Sequence, residues 1–248
     1  MTRLARMLGA VLAAAVVVSE VRADDHDAKA AKMATRAITW LKAQQDAKSG
    51  GWGVAPEGPV YPAMSGLVIN GLLMEPGIDA KDPAVKAGVD FMLKYRQPDG
   101  GIYDKILPSY NTAIVLSALA KVDTPEAKAA IKPAQEFLKS LQFGEGATTE
   151  GAFAGETGRV GKDHPYYGGI GYGRSGRPDL SNTAFFIQAL HDSGVSGDDP
   201  AMQRALVFLA RTQMIEKGAD GKPINDMPYA KGSKQGGFIY STSENKDK

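Results

Sequence analysis

A repeated segment constrains the fold of this chain more than any other feature of its sequence. In the first copy the pair Trp40-Leu41 is followed by Gln45 and then by Gly50-Gly51-Trp52. Three further copies keep a bulky hydrophobic residue, a leucine and a glutamine at the same offset: Met92-Leu93 with Gln97, Phe137-Leu138 with Gln142, and Phe208-Leu209 with Gln213. Four copies of one helix-and-turn unit indicate a repeat protein.

The residues before each glutamine have the spacing of an amphipathic helix. In every copy, hydrophobic residues lie seven and three positions before the Trp, Met or Phe and one position after it. The four stripes are Met33, Ala37, Trp40 and Leu41; Val85, Val89, Met92 and Leu93; Ala130, Ala134, Phe137 and Leu138; and Ala201, Ala205, Phe208 and Leu209. Asp82-Pro83, Thr124-Pro125 and Asp199-Pro200 supply a cap and a first-turn proline. The pattern predicts four half-exposed helices.

Three segments between these helices are hydrophobic on nearly every face. They are Ala63 to Met74, Thr112 to Val122 and Thr183 to Leu190. A helix of this kind is buried, and short loops make consecutive helices antiparallel neighbours. The sequence therefore predicts an all-α fold of about seven helices, in which buried helices stand inside a ring of amphipathic ones as an α/α toroid.

The helices that end in Trp, Phe or Met, then Leu and Gln, with their Gly-Gly turns, resemble the QW repeats of the prenyltransferase and squalene-oxidocyclase superfamily. The resemblance covers the chain from residue 24 to residue 248. It implies a barrel of six helix pairs with a deep central cavity, of which this chain would form a partial version, incomplete at its C-terminus. It also implies an apolar or polyprenyl-type ligand in that cavity. The glutamines are expected to bond to neighbouring helix ends, and Trp40 and Trp52 to lie in the core.

The first 23 residues have the features of a signal peptide. Arg3 and Arg6 precede an apolar run from Leu8 to Val18, and Val21-Arg22-Ala23 offers a cleavage site with small residues. An uncleaved anchor is the alternative. Cleavage would leave an exported protein, periplasmic or extracellular, without a stable membrane span.

Composition excludes several kinds of chemistry and partner. A formal net charge of +1 gives no reason to expect nucleic acid as a partner. The chain has no cysteine, which excludes a thiolate nucleophile, a thioester and the Cys-ligated zinc of protein prenyltransferases. His26, His164 and His191 stand at no metal-ligand spacing, and the Asp-rich acid motif of terpene cyclases does not occur. We therefore predict neither a metal site nor a cofactor.

Polar residues at the starts of the buried helices are the candidate site, because the resemblance places those helix ends at the cavity mouth. They are Tyr61, Tyr110, Asn111, Asp179 and Asn182. A glycine-rich insertion between Gly144 and Pro178 adds His164 and Tyr167, together with Glu150, Arg159, Asp163, Tyr166, Tyr172, Arg174 and Arg177. This insertion is either a ligand-binding loop or a solvated surface loop. Asp179 is the candidate catalytic acid or base, and its alternative role is a helix cap.

Three functions remain open from the sequence. The first is binding of an apolar or polyprenyl-type ligand without a recognisable catalytic motif. The second is an enzyme, either cyclase-like with its acid in a missing C-terminal half, or a polysaccharide lyase that uses Arg174 or Arg177 near Asp163 or Asp179. The third is an interaction scaffold, with a protein partner on the open edge of the toroid.

Overall fold

The computed structural model describes residues 26–54, 60–145, 159–173 and 177–242. The chain divides into two compact units, Met1–Gln44 and Gln45–Lys248. The predicted signal peptide, Glu150 and Arg174 lie outside the described residues. Within the described ranges, no helix has the length and apolar character needed to cross a membrane.

The first unit is described by one helix, α1, over residues 26–43. Its hydrophobic stripe is exposed: Met33 is 71% and Trp40 62% accessible to solvent. The prediction that Trp40 is a core residue was therefore wrong, whereas Trp52 in the second unit is buried as expected. The reason is that the described residues of this unit form a single amphipathic helix, with no second layer among them on which it packs.

The second unit consists of helices in two layers. Its helices are α2 (Pro62–Leu72), α3 (Pro83–Leu93), α4 (Pro108–Leu119), α5 (Pro125–Ser140), α6 (Leu180–Asp192) and α7 (Pro200–Thr212). In the inner layer α4 packs between α2 and α6. In the outer layer α3 packs on α5, and each inner helix packs on the outer helix that follows it in the chain. The chain is thus mostly helical, as predicted.

The predicted caps and prolines begin the three outer helices. Asp82 Oδ1 accepts from the backbone N–H of Ala84 at 2.9 Å, and Asp199 Oδ1 accepts from that of Ala201 at 2.8 Å. Thr124 caps α5 in the same way. Proline also occupies the first position of α2 and α4, where a backbone N–H would have no acceptor within the helix. Helix α4 begins at Pro108, four residues before the predicted start at Thr112.

Burial of the inner helices is complete only for the central one. Every residue of α4 except Tyr110 is buried. In contrast, Leu67 on α2 is 47% exposed and Phe185 on α6 is half-buried. The difference arises because α4 has an inner neighbour on each side, whereas α2 and α6 flank it. The prediction of burial on nearly every face therefore holds for α4 and only in part for α2 and α6.

Three Gly-Gly turns, Gly50-Gly51, Gly100-Gly101 and Gly168-Gly169, precede the inner helices α2, α4 and α6 respectively. The residue after each pair, Trp52, Ile102 or Ile170, donates its backbone N–H to a hydroxyl on the inner helix, that of Ser65, Thr112 or Thr183, at 2.9, 2.9 and 3.2 Å respectively. The third turn, Gly168-Gly169, lies inside the segment that sequence reasoning treated as an insertion. The inserted residues therefore separate Gln142 from the turn of its own repeat.

A phenylalanine from the next outer helix covers the second glycine of each turn. A Cβ at Gly51, Gly101 or Gly169 would lie 2.7, 3.0 or 2.7 Å from the rings of Phe91, Phe137 and Phe208 respectively. Phe91, and not Met92, is thus the structural equivalent of Phe137. The sequence alignment of the second repeat was wrong by one position, since Phe91 precedes its glutamine by six residues and Phe137 by five.

The fourth repeat ends in a small antiparallel sheet. Strand β1 (Gln213–Ile215) pairs with β2 (Lys234–Phe238), with Gln213 opposite Phe238. A single 3-10 turn at Pro228–Ala230 lies in the connection. Beyond β2 the backbone carbonyl of Tyr240 accepts from the N–H of Leu180 at 2.7 Å. The end of the described chain therefore lies against the start of α6.

Candidate functional site

Four aromatic side chains form a cluster at the starts of α4 and α6. Tyr110 contacts Phe185 edge to face, with ring centroids 5.1 Å apart, and lies 6.2 Å from the ring of Tyr172. Tyr172 follows the third Gly-Gly turn, and Tyr240 follows β2. We call Tyr110, Tyr172, Phe185 and Tyr240 the aromatic cluster. Four separate parts of the chain supply it, so no local sequence motif predicts it.

Tyr240 is the polar centre of the aromatic cluster. Hydrogen bonding to Tyr172, then burial, then hydrogen bonding to Asp179 raise the pKa of its phenol well above the usual value. Its backbone is held by Leu180, and the neighbouring Ser241 Oγ donates to the Pro178 carbonyl at 2.6 Å. Tyr240 thereby links the aromatic cluster to Asp179 at the start of α6.

Asp179 occupies the N-cap position of α6. It is only 3% exposed, and its Oδ1 accepts from the backbone N–H of Asn182 at 2.8 Å. Its Oδ2 accepts from Asn182 Nδ2 at 2.7 Å. The capping role anticipated for Asp179 is therefore present in the structure. Its role as an acid or base remains a prediction, and Tyr240 is its adjacent hydrogen-bond partner.

Asn182 has a buried oxygen without a hydrogen-bond partner. Its side chain is 1% exposed, and Oδ1 has no partner in the structure. Asn111 holds the same position on α4 and uses all its polar atoms: Oδ1 accepts from the N–H of Ala63 at 3.1 Å, and Nδ2 donates to Ile106 and Leu107. Asn111 thus joins α2 to α4, whereas Asn182 retains an unused acceptor close to Asp179.

The loop before α4 contains backbone strain that the sequence did not predict. Lys105 and Leu107 have φ of 58° and 50°, although neither is glycine. Such conformations cost roughly 1 to 3 kcal/mol each and persist only where neighbouring groups enforce them. Asn111 Nδ2 does so for Leu107 by bonding to its carbonyl at 3.0 Å. The result is an exposed hydrophobic pair, Ile106 and Leu107, beside the N-terminus of α4.

A cavity of about 140 Å³ lies on the inner layer. Residues of α2, α4 and α6 and of the turns just after α4 line it: Leu67, Asn70, Ile114, Ser117, Lys121, Phe185, Gln188 and Asp192. Polar side chains pair at its rim, where Lys121 Nζ donates to Asn70 Oδ1 at 2.7 Å and Gln188 Nε2 donates to Asp192 Oδ1 at 2.6 Å. Phe185 lines the cavity and also contacts Tyr110, so it links the cavity to the aromatic cluster.

A larger groove lies on the outer layer, between the second Gly-Gly turn and α5. Its volume is about 550 Å³, and turn residues Arg96 to Gly100 form one wall. Ala129, Ala130, Pro133 and Glu136 form the other wall. Its size does not make it the better candidate, because it contains no aromatic side chain and Asp99 is already bonded to Tyr103 and to the turn. We therefore take the inner surface as the candidate site.

The remaining candidate residues lie elsewhere. Tyr61 is the N-cap residue of α2 and makes no side-chain capping bond. His164 and Tyr167 lie on the segment that is bound to the outer helix α7, where Arg211 Nη1 donates to the His164 carbonyl at 2.8 Å. Tyr167 is buried, and His164 Nδ1 accepts from the N–H of Tyr166. The structure therefore brings together Tyr110, Asp179 and Asn182 of the predicted set.

The pair suggested for a lyase is not assembled in the described part of the chain. Arg177 and Asp163 are both exposed. No hydrogen bond or ion pair joins Arg177 to Asp163 or to Asp179 there. The same described residues contain no group of three His, Asp or Glu side chains that could hold a metal ion.

Comparison with known proteins gives one partial similarity. No family model matches the chain. Over 156 residues it is 28% identical to a squalene–hopene cyclase of Zymomonas mobilis subsp. mobilis. The match covers 55% of this chain but 23% of the cyclase, so the chain corresponds to less than a quarter of that relative. The chain is thus similar to part of a terpene cyclase.

Proposed function

We propose that this chain binds an apolar, polyprenyl-type ligand on the inner surface of a partial α/α toroid. One observation carries the proposal: Phe185 lines the inner cavity and contacts Tyr110, which links the cavity to the aromatic cluster. The similarity to part of a squalene–hopene cyclase supports the same ligand class. The alternation of α2, α4 and α6 with α3, α5 and α7 is what a toroid of helix pairs requires.

The chemistry of the surface suits an extended apolar molecule with a polar end. Leu67, Ile114 and Phe185 offer apolar contact in the cavity, and the aromatic rings extend it toward Tyr240. Burial of each ligand methylene in such a place stabilises binding by about 0.8 kcal/mol. The cavity of about 140 Å³ is smaller than a typical ligand pocket, so it accepts one part of the chain while the rest lies along the cluster. The Tyr240 phenol oxygen, whose hydrogen is engaged within the cluster, accepts a hydrogen bond from a hydroxyl group at one end of the ligand.

Direct binding of farnesol tests the proposal. We expect Leu67→Glu to weaken binding about tenfold or more, because a carboxylate on α2 would be desolvated by the ligand. Leu206→Glu is the matched control, since Leu206 is similarly exposed but lies on the outer helix α7. Isothermal titration calorimetry measures both. Equal affinities for the two variants, or no heat of binding with any of several prenyl alcohols, would contradict the proposal.

Copurifying lipids provide an independent test. Mass spectrometry of organic extracts from the purified protein should detect an isoprenoid or similar lipid, which Leu67→Glu should reduce and Leu206→Glu should not. Repeated extracts without any lipid would count against this function.

Catalysis at the aromatic cluster is a second candidate, favoured by the contact between Asp179 and Tyr240. In this role the carboxylic acid form of Asp179 gives its proton to an alkene and is left as a carboxylate, which the Tyr240 phenol stabilises by hydrogen bonding. If so, cyclised products form from squalene, and Asp179→Asn and Tyr240→Phe abolish them while farnesol still binds. Gas chromatography with mass spectrometry measures the products, and unchanged yield in both variants removes these residues from consideration.

Export is also proposed, on the basis of residues 1–23 alone. The full chain expressed in a bacterium should accumulate outside the cytoplasm, with a new N-terminus near Asp24. N-terminal sequencing of the fractionated protein tests this, and an intact Met1 in the cytoplasmic fraction would contradict it.

A further inference from the structure

The first and third repeats of the second unit make the same glutamine contact to the next outer helix, whereas Gln97 of the second repeat bonds within its own turn. In the first, Gln45 Nε2 donates to the carbonyls of Gly50 and Ala84, at 2.8 and 2.9 Å. In the third, Gln142 Nε2 donates to those of Gly168 and Ala201, both at 2.9 Å. Ala84 and Ala201 each stand seven residues before the phenylalanine that covers the turn. The glutamine of each of these two repeats therefore binds the outer helix of the next.

The first glycine of each turn completes this repeat interface. Gly50, Gly100 and Gly168 have φ of 81°, 91° and 87°. A Cβ on each would meet the backbone carbonyl of Ala87, Pro133 or Arg204, at 2.8, 2.6 and 1.8 Å respectively. Each of these three residues stands four positions before the covering phenylalanine. Counted from the covering phenylalanine as position 0, the helix side of the interface consists of the carbonyls at −7 and −4 and the aromatic ring at 0.

The fourth turn has the glycine side of this interface, and no helix of the described residues covers it. Gln213 Nε2 faces the Gly236 carbonyl at 3.5 Å, as Gln45 faces Gly50. Gly236 has φ of 75°, close to the value at the other first glycines. A Cβ at Gly237 would meet no atom within 4 Å, whereas at Gly51, Gly101 and Gly169 it would meet an aromatic ring.

Helix α1 has the residues of the helix side of the repeat interface. Trp40 precedes Gln45 by five residues, as Phe137 and Phe208 precede their glutamines, and this places Arg36 at −4 and Met33 at −7. Trp40 and Met33 are the most exposed large hydrophobic residues of this helix. An exposed tryptophan at a position that is buried in three other repeats indicates an interaction surface.

We propose that α1 of one copy of this chain docks on the fourth Gly-Gly turn of a second copy, in a head-to-tail contact that continues the repeat interface. Trp40 then covers Gly237, the Arg36 carbonyl lies over Gly236, and the Met33 carbonyl accepts from Gln213. Because the two faces differ, the contact is heterologous and repeats from copy to copy into a ring or a filament. The inference is independent of the ligand proposed above.

Sedimentation velocity over a range of protein concentrations tests the contact. We expect the purified chain to associate and Gly237→Val to raise the apparent Kd about tenfold or more, because the valine side chain fills the space that Trp40 requires. The isolated chain should tolerate this valine, since Gly237 lies in a strand with open space around it. Gly197→Val is the matched control, as a Cβ there also meets nothing within 4 Å.

A second pair of variants tests the helix side. Trp40→Glu should weaken association as strongly as Gly237→Val, whereas Thr35→Glu, on the opposite side of the exposed α1, should not. Circular dichroism checks that each variant stays folded. A monomer at every concentration, or association unaffected by both Trp40→Glu and Gly237→Val, would overturn the proposal.

Engineered cysteines identify the occupant, because the chain contains none of its own. A mixture of Trp40→Cys chains with Gly237→Cys chains should give a disulfide-linked heterodimer under mild oxidation. A covalent dimer in that mixture supports docking between copies. The absence of this dimer overturns the proposal. So does a disulfide that forms within a single chain carrying both Trp40→Cys and Gly237→Cys while the mixture gives no dimer.

Discussion

The buried guanidinium of Arg211 holds the carboxylate of Asp226 with two parallel hydrogen bonds. Nε donates to Oδ1 and Nη2 to Oδ2, both at 2.8 Å. The same guanidinium donates to the backbone carbonyls of Lys162 and His164, also at 2.8 Å. One side chain of α7 thereby fixes both the end of the glycine-rich insertion and the long connection between β1 and β2.

Arg211→Met should therefore destabilise the protein strongly. The methionine leaves two carbonyls and a carboxylate without their charged donor, which we expect to cost about 3 kcal/mol. Urea unfolding measures the change. Asp226→Asn is the comparison: its side chain is 58% exposed, and the bonds to Lys162 and His164 persist, so about 1 kcal/mol is expected. Equal losses in the two variants would contradict the importance of the carbonyl contacts.

The same pair predicts a pH dependence of stability. Hydrogen bonding to Arg211 lowers the pKa of Asp226 in the folded protein below its unfolded value of about 3.9. The stabilisation is thus fully present above pH ~4 and is lost as the pH falls through the folded pKa. The difference in unfolding free energy between wild type and Asp226→Asn should be constant near neutral pH and shrink in acid. A difference in unfolding free energy that grows on acidification would contradict a lowered pKa of Asp226 in the folded protein.

Two glycines with the same backbone conformation should respond differently to alanine. Gly168 and Gly194 have φ of 87° and 86°. A Cβ at Gly168 would lie 1.8 Å from the Arg204 carbonyl, whereas one at Gly194 would meet nothing within 4 Å. Gly194→Ala should cost about 1 kcal/mol from the left-handed conformation alone, and Gly168→Ala about 3 kcal/mol or more. Thermal unfolding compares them, and similar melting temperatures would refute the close approach of helix and turn.

Asp179 should tolerate asparagine better than alanine. Asparagine retains a capping oxygen, and the Asn182 amide can rotate to offer its unpartnered Oδ1 to the new amide group. We expect Asp179→Asn to cost about 0.5 kcal/mol and Asp179→Ala about 1.5 kcal/mol. Urea unfolding of both variants measures this. If the two are equally destabilised, the carboxylate charge and not the cap oxygen holds α6.

Local chemistry explains which parts of the fold could be predicted from the sequence. Asp82, Thr124 and Asp199 cap their helices as expected, since a cap followed by proline depends only on adjacent residues. The glutamine contacts were also expected, and Gln45 and Gln142 make them to the next outer helix. Gln97 instead bonds within its own turn, to Tyr95 and Tyr103. The reason is that α5 begins one turn earlier than its counterparts, which moves its N-terminus away from Gln97.

The features that the sequence did not predict share a different cause, which is that the residues in contact are far apart along the chain. Gly168-Gly169 was hidden because the inserted residues separate it from Gln142, although its sequence followed by Ile170 matches Gly100-Gly101-Ile102. Tyr240 was overlooked because its approach to Asp179 depends on the pairing of β2 with β1. The left-handed backbone at Leu107 had no glycine to signal it. Contacts of this kind are fixed by tertiary structure, and periodicity does not reveal them.

The third turn is closed by its own two ends. Phe143 donates its N–H to the Gly169 carbonyl at 2.9 Å and accepts from the N–H of Gly168 at 2.8 Å, while Gln142 bonds to the Gly168 carbonyl. The spacing of α5, α6 and α7 is consequently set by these bonds and by the contacts of Lys162 and His164 with Arg211, and not by how many residues run between Glu145 and Arg159. Foreign peptides of varied length grafted between Glu145 and Arg159 should leave the helices undisturbed.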